Sequence, residues 1–196
     1  MPKLNKICVF CGSSDGNDQK ITDMAISLGT LFARENITLV YGAAKIGVMG
    51  TLAKSVLEGN GNVIGVIPGF LKKKEVVHLG LTKLITTKNM HERKLKMHEL
   101  CDGFIALPGG IGTLEELFEM LTWLQLGLHT KPIGLLNCNG FYNDLLQLLE
   151  TMVRKGFVSM ENYELLQVDN TVSGLLQKMT DFKAPNIPNW LNEDRT

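Results

Sequence analysis

"GFIALPGGIGTLEE", residues 103–116, reads as a strand, a glycine loop and a helix start run directly together. Residues 103–106 form a short apolar run of the kind that a strand covered on both faces requires. The helical spacing of Leu114, Leu117, Phe118 and Leu121 begins a few residues later and continues towards Gly127. Between the two, Gly109, Gly110 and Gly112 lack a Cβ, so the backbone is free to adopt positive φ and approach a ligand closely. Amides at the following helix start attract an anion, so the loop is expected to hold a phosphate. A strand handed to a helix in this way is the repeating unit of a parallel α/β sheet.

The same alternation extends in both directions. "KICVFCGS", "TLVYGA", "NVIGVIP", "KLITTK", "PIGLLN" and "ELLQVD" are further strand-like runs, separated by helical patterns. Because the runs are continuous rather than alternating, the expected architecture is a mostly parallel sheet wrapped by helices on both sides. Loops in "CGSSDG", "YGAAKIGVMG" and "PGGIGT" follow the first, second and fifth of the seven runs in chain order. They lie at the carboxyl ends of parallel strands, where open α/β sheets bind ligands. One domain over residues 1–182 is expected, with residues 183–196, "KAPNIPNWLNEDRT", as a C-terminal tail.

Composition narrows the partners. The 196 residues are 44% hydrophobic and 20% charged, with 20 lysines and arginines balancing 20 aspartates and glutamates. No net field favours nucleic acid or an anionic membrane, and no apolar stretch approaches a membrane span. Four scattered cysteines, Cys8, Cys11, Cys101 and Cys138, suit a reducing compartment, and a cytoplasmic location is expected. Cys8 and Cys11 form a C-x-x-C, but residues three apart on a strand point to opposite faces, and no second ligand pair accompanies them. "HERKLKMH" begins like a zinc-protease motif, yet His98 follows His91 by seven residues and the spacing fails. No metal site is expected.

Two readings of Thr113 and Glu116 stand side by side. As T-x-x-E before an apolar helix they form a capping box. Alternatively, Glu116 near the positive end of a helix stays ionised beside the anion loop and stabilises an oxocarbenium-like state or orients water. In "NMHERKLKMHEL", Met90, Met97, Leu100 and Cys101 gather on one side of a helix, with Arg93 and Lys94 at its flanks. Either both cations snorkel to the surface, or Arg93 enters the cleft to hold a phosphate, a ribose oxygen or Glu116. An arginine there stabilises charge and orients rather than donating a proton. Lys72, Lys73 and Lys74 read as a solvated run that helps draw in an anion.

These segments carry a family resemblance. "PGGIGTLEE" fits P-G-G-x-G-T-x-x-E at every fixed position, and "MHERKLKM" fits M-x-x-R-K-x-x-M. From "CVFCGSS" to about "KGFVS" the chain resembles the LONELY GUY family of cytokinin riboside 5′-monophosphate phosphoribohydrolases, often labelled lysine decarboxylase-like. The resemblance implies a Rossmann-like, three-layer α/β/α homodimer. It implies hydrolysis, without a cofactor, of the bond between an N6-modified adenine, or adenine itself, and ribose 5-phosphate. It matches Arg93 and Glu116 to the catalytic pair. Lys94, the loop from Gly110 through Ile111, Gly112, Thr113 and Leu114 to Glu115, and Thr122 match substrate-contacting positions, beside Gly109 of the anion loop. Glu75 corresponds to a ligand-contacting glutamate.

One loop departs from the family pattern Y-G-G-G-x-x-G-L-M-G: here it is "YGAAKIGVMG", with Ala43 and Ala44 replacing glycines and Val48 replacing leucine. The added methyl groups are expected to crowd a ligand and alter substrate preference. Three other functions compete. A pyridoxal-phosphate lysine decarboxylase needs a Schiff-base lysine in a recognisable context, and none is marked. A non-catalytic nucleotide or molybdenum-cofactor carrier shares the type of fold but has no use for paired arginine and glutamate motifs. Single-stranded DNA binding lacks a basic, aromatic-rich strip.

Overall fold

A computed structural model of the chain describes residues 4–72 and 77–184. Its seven strands are β1 (Lys6–Phe10), β2 (Thr38–Tyr41), β3 (Val63–Pro68), β4 (Lys83–Thr87), β5 (Gly103–Ala106), β6 (Ile133–Leu136) and β7 (Leu166–Asp169). All seven correspond to the apolar runs. They form one sheet in the order β4-β3-β2-β1-β5-β6-β7, and every neighbouring pair is parallel.

Period-two alternation within each strand builds two cores. Ile7 and Val9 of β1 pack on one face with α1 (Gln19–Arg34), α2 (Gly47–Glu58) and α7 (Val172–Asp181). Cys8 and Phe10 pack on the other with α3 (Met90–Leu100), α4 (Ile111–Gln125) and α5 (Asn143–Arg154). A short helix, α6 (Met160–Tyr163), precedes β7. The result is the Rossmann-like three-layer α/β/α fold expected from the runs. Cys8 and Cys11 fall in different cores, as their spacing demands, and all four cysteines are buried and unpaired.

Two features of this layout position the site. The strand order reverses at β1 and β5, whose chains leave to opposite faces, α1 on one and α4 on the other. Such a switch point opens a crevice at the carboxyl ends of the strands. Here it is a cavity of about 280 Å³ lined by Ser13, Ser14, Gly109 and Gly110 among others. Second, α3 starts at a fixed point: the Asn89 side chain accepts from the Glu92 backbone N–H at 2.9 Å, and the Glu92 carboxylate accepts from the Lys88 N–H at 2.8 Å. The next residue, Arg93, is thereby held in the first full turn.

Behind the site, His98 stacks on Phe104, His129 meets the same ring at a tilt, and His98 also meets Trp123 edge-on. Burial holds both imidazoles down to a pKa of about 4, so they pack as neutral rings.

Candidate functional site

The two glycine loops look alike in sequence but end in different helix starts. At α2, the Val48 N–H donates to Ser14 O at 3.4 Å and the Met49 N–H to Gly12 O at 3.1 Å. The loop after β1 therefore closes that terminus. At α4, the Thr113 and Leu114 amides both turn back to Gly110 O, at 3.1 and 3.2 Å. Ile111 and Gly112 donate to no carbonyl or side chain of the described residues, and both residues are exposed. The open amides at the switch point belong to α4.

The structure corrects three expectations about this loop. Gly109, Gly110 and Gly112 do not use positive φ; the glycines that do include Gly16 and Gly47. Gly109 is required because a Cβ there would overlap Thr113 Oγ1, whereas Gly110 and Gly112 face open space. The capping box is absent. The cap of α4 is Gly110, which puts Thr113 inside the first turn and Glu116 in the second, both buried. Glu116 is therefore not held in the low carboxylate range by the dipole's positive end: burial pushes its carboxyl up to about 7, against the lowering effect of Arg93.

The buried stripe of α4 is also rotated from the expected one. Thr113, Glu116, Leu117, Met120 and Leu124 are buried, while Leu114, Phe118 and Leu121 are half-buried. The helix is apolar nearly all round, so its period does not select a face. The selected face carries Glu116 inward to meet Arg93.

Arg93, 8% exposed, is buried among Gly42, Val66 and Glu116 and does not snorkel. Its Nε donates to Val66 O at 3.3 Å and its Nη2 lies 3.7 Å from Glu116 Oε1, an ion pair without a hydrogen bond. Gly42, at the end of β2, makes the room: a Cβ there would overlap Arg93 Nη2. Sequence reasoning quoted this glycine inside "YGAA" without assigning it a role, because the clash is with a residue 51 positions away.

Lys94 leaves the cleft. Its Nζ bonds Glu115 Oε1 at 2.5 Å and Glu119 Oε1 at 2.9 Å, so it bridges α3 to α4. Thr122 is exposed, with its hydroxyl donating to Phe118 O at 2.7 Å, and no hydrogen bond among the described residues joins it to Arg93. Ile111 and Glu115 are exposed beside the open amides. Glu75, Lys73, Lys74 and the tail beyond residue 184 lie outside the described residues. Among the described residues no group of three or more His, Cys, Asp or Glu side chains could hold a metal ion.

Ala43 and Ala44 do not crowd the cleft as expected; they are 0% and 1% exposed within this chain. Ala43 sits at φ 66°, and its methyl occupies the space that a Cβ on Gly65 would take. The replaced glycine thus changes backbone strain, with Gly65 across from it leaving room for the methyl.

Chemically, the site offers two open amides for an anion, a permanently charged guanidinium, and one turn below Gly112 a carboxyl that burial raises to about 7. Comparison with known proteins shows the family to which the chain belongs. The family model described as "Possible lysine decarboxylase" matches residues 49–179. The Arabidopsis thaliana cytokinin riboside 5′-monophosphate phosphoribohydrolase LOG1 is 45% identical over 180 residues, 92% of this chain and 84% of that protein. LOG3 of the same plant is 43% identical over the same shares. A molybdenum cofactor binding protein from Rippkaea orientalis superposes with a TM-score of 0.69 at 21% identity, covering 91% of this chain and 97% of that one. That likeness concerns the fold alone.

Proposed function

The chain belongs to the family of the cytokinin riboside 5′-monophosphate phosphoribohydrolases, and on that premise we propose that it hydrolyses the N-glycosidic bond of N6-modified adenosine 5′-monophosphates, and of AMP, to free base and ribose 5-phosphate. The observation that carries this reading is the buried Arg93–Glu116 pair beside the open amides of α4.

In the proposed mechanism the phosphate sits on the Ile111 and Gly112 amides, where the helix dipole and free N–H groups favour an anion. Glu116 lies about 6 Å further along the helix axis, a rise of four residues. That spacing is comparable with the reach of ribose 5-phosphate from phosphorus to anomeric carbon. As the bond from C1′ to the base nitrogen breaks, positive charge develops on the ribose ring, and the Glu116 carboxylate stabilises it. Water adds at C1′ and gives its proton to Glu116, the leaving base nitrogen takes a proton from solvent, and Glu116 then returns its proton to solvent, so that one water is consumed in the net reaction. Arg93 remains charged throughout, holding substrate oxygens and Glu116 in register.

The family description invites lysine decarboxylation, but Lys94, adjacent to the site, is engaged by two carboxylates. The carrier reading gains nothing from a fold-level likeness at 21% identity. A homodimer in the cytoplasm is part of the proposal. In its support, Leu95, Leu126 and Leu128 are 48%, 38% and 42% exposed, and Thr122 lies outside its own chain's cleft. A monomer in sedimentation velocity at micromolar concentration would remove the dimer from this account.

The test of the activity measures free base and ribose 5-phosphate from isopentenyladenosine 5′-monophosphate, AMP and the matching nucleoside. Release from the nucleotides only, lowered at least about a thousandfold by Glu116→Gln and Arg93→Ala, is expected. Release from the nucleoside at an equal rate would overturn the role of the α4 amides. No release from any substrate would overturn the activity.

A further inference from the structure

The catalytic pair is shared between two helices, with Arg93 on α3 and Glu116 on α4, and its own contact is loose at 3.7 Å. The helices share an apolar core through Met97, Leu117 and Met120, and ion pairs beside the site add to it. Among the described residues, the other ion pairs from α3 to α4 are those of Lys94 with Glu115 and Glu119, at 2.5 and 2.9 Å. Lys94 follows Arg93 directly, and Glu119 stands one turn from Glu116. The link is thus adjacent to the pair on both helices.

We propose that Glu119, acting through Lys94, is a positioning residue that sets the spacing and the electrostatic surroundings of the Arg93–Glu116 pair. This rests on the phosphoribohydrolase reading of the site for its kinetic consequences, though not for its structural ones.

Burial distinguishes Glu119 from its neighbour. The Lys94 side chain is 10% exposed, that of Glu119 25% and that of Glu115 52%. An exposed pair contributes little, so the Glu115 contact is the weaker tether despite its length. Glu119 has a second feature: its Oε2 is buried without a hydrogen-bond partner in the described residues. One ammonium group therefore satisfies a carboxylate that solvent reaches poorly. Removing the ammonium would leave that charge uncompensated.

The field at Glu116 follows from the same cluster. Arg93 and Lys94 face it from α3, Glu115 and Glu119 lie on its own helix, and Cys8 and Cys11 of the β1 strand and loop lie close enough to feel its charge. Burial raises the Glu116 carboxyl most; Arg93 and Lys94 pull it down, while Glu115 and Glu119 push it up. Loss of the Glu119 charge therefore moves Glu116 towards ionisation at lower pH.

The experiment compares wild type, Glu119→Gln, Glu119→Asp and Lys94→Met. For Glu119→Gln, kcat should fall about tenfold to a hundredfold with KM for the nucleotide changed less than threefold. The rising limb of the pH–rate profile should move to lower pH, and Glu119→Asp should restore most of both. In parallel, the Glu116 carboxyl is titrated by NMR in the free protein, where its midpoint should fall in Glu119→Gln. A titration and kcat that both stay at wild-type values would overturn the proposal. So would a loss confined to KM in Glu119→Gln, which would make Glu119 a substrate contact. If the wild type releases no base, the NMR titration still decides the positioning role, so failure of the activity and failure of this link are separate results.

Discussion

The loops after β2 and β5 both carry glycines into a helix, yet they do opposite work. In the first, glycine is demanded by neighbours already present. A Cβ on Gly42 would overlap the Arg93 guanidinium, one on Gly47 the Ser13 backbone, and one on Gly50 the Lys45 carbonyl. The amides of α2 are consumed by Ser14 O and Gly12 O. In the second, Gly110 and Gly112 meet nothing within 4 Å, and the first amides of α4 are free. Gly42, Gly47 and Gly50 are packed against neighbours; in the second loop Gly109 is packed against Thr113, while Gly110 and Gly112 stay open on the proposed ligand side. Glycine content alone does not separate binding from packing.

That contrast can be broken most directly at Gly47. Its φ of +66° and the overlap with Ser13 both oppose a side chain, so Gly47→Ala should cost about 3 kcal/mol of stability. Chemical denaturation reads the loss, and a cost under about 1 kcal/mol would mean that the first loop is not packed as described.

The opposite sign is expected at Gly112. There Ala has open space and an ordinary helical φ, so Gly112→Ala should raise stability by about 0.5 kcal/mol through the unfolded state. The same methyl stands beside the open amide, and KM for nucleotide 5′-monophosphates should rise about tenfold, equivalent to roughly 1.4 kcal/mol of lost binding. An unchanged KM would remove the second loop from the ligand site.

Ala43 provides the finest discrimination. Glycine at φ 66° relieves strain of about 1 kcal/mol, while the freer unfolded chain and the lost methyl packing offset a similar amount. Ala43→Gly should therefore shift stability by less than about 1 kcal/mol and leave the ratio of AMP to isopentenyladenosine monophosphate turnover unchanged. A change in that ratio would return Ala43 to the ligand side of the wall.

Much of the molecule was legible before any coordinates. Each strand is a short apolar run bounded by turn residues, a local signal that survives in any context, and all seven runs became strands. Arg93 and Glu116 were nominated by motif, and packing brings them together from two helices. What misled was the reading of α4. T-x-x-E satisfies the capping pattern, but the helix is capped at Gly110, three residues earlier, where the Thr113 and Leu114 amides close the first turn onto the Gly110 carbonyl.

Local pattern was thus sufficient for the number and type of elements, their parallel arrangement and the identity of the two motif residues. Packing decided the rest. Because α4 is apolar on nearly every side, only contact with the sheet and α3 selected the face that buries Glu116 and raises its pKa to about 7. The tether of Lys94 to Glu119, the space that Gly42 leaves for Arg93 and the turning of Ala43 away from the cleft each join residues from different elements. A side chain's burial and charge environment depend on what the fold places against it, which spacing along the chain does not record.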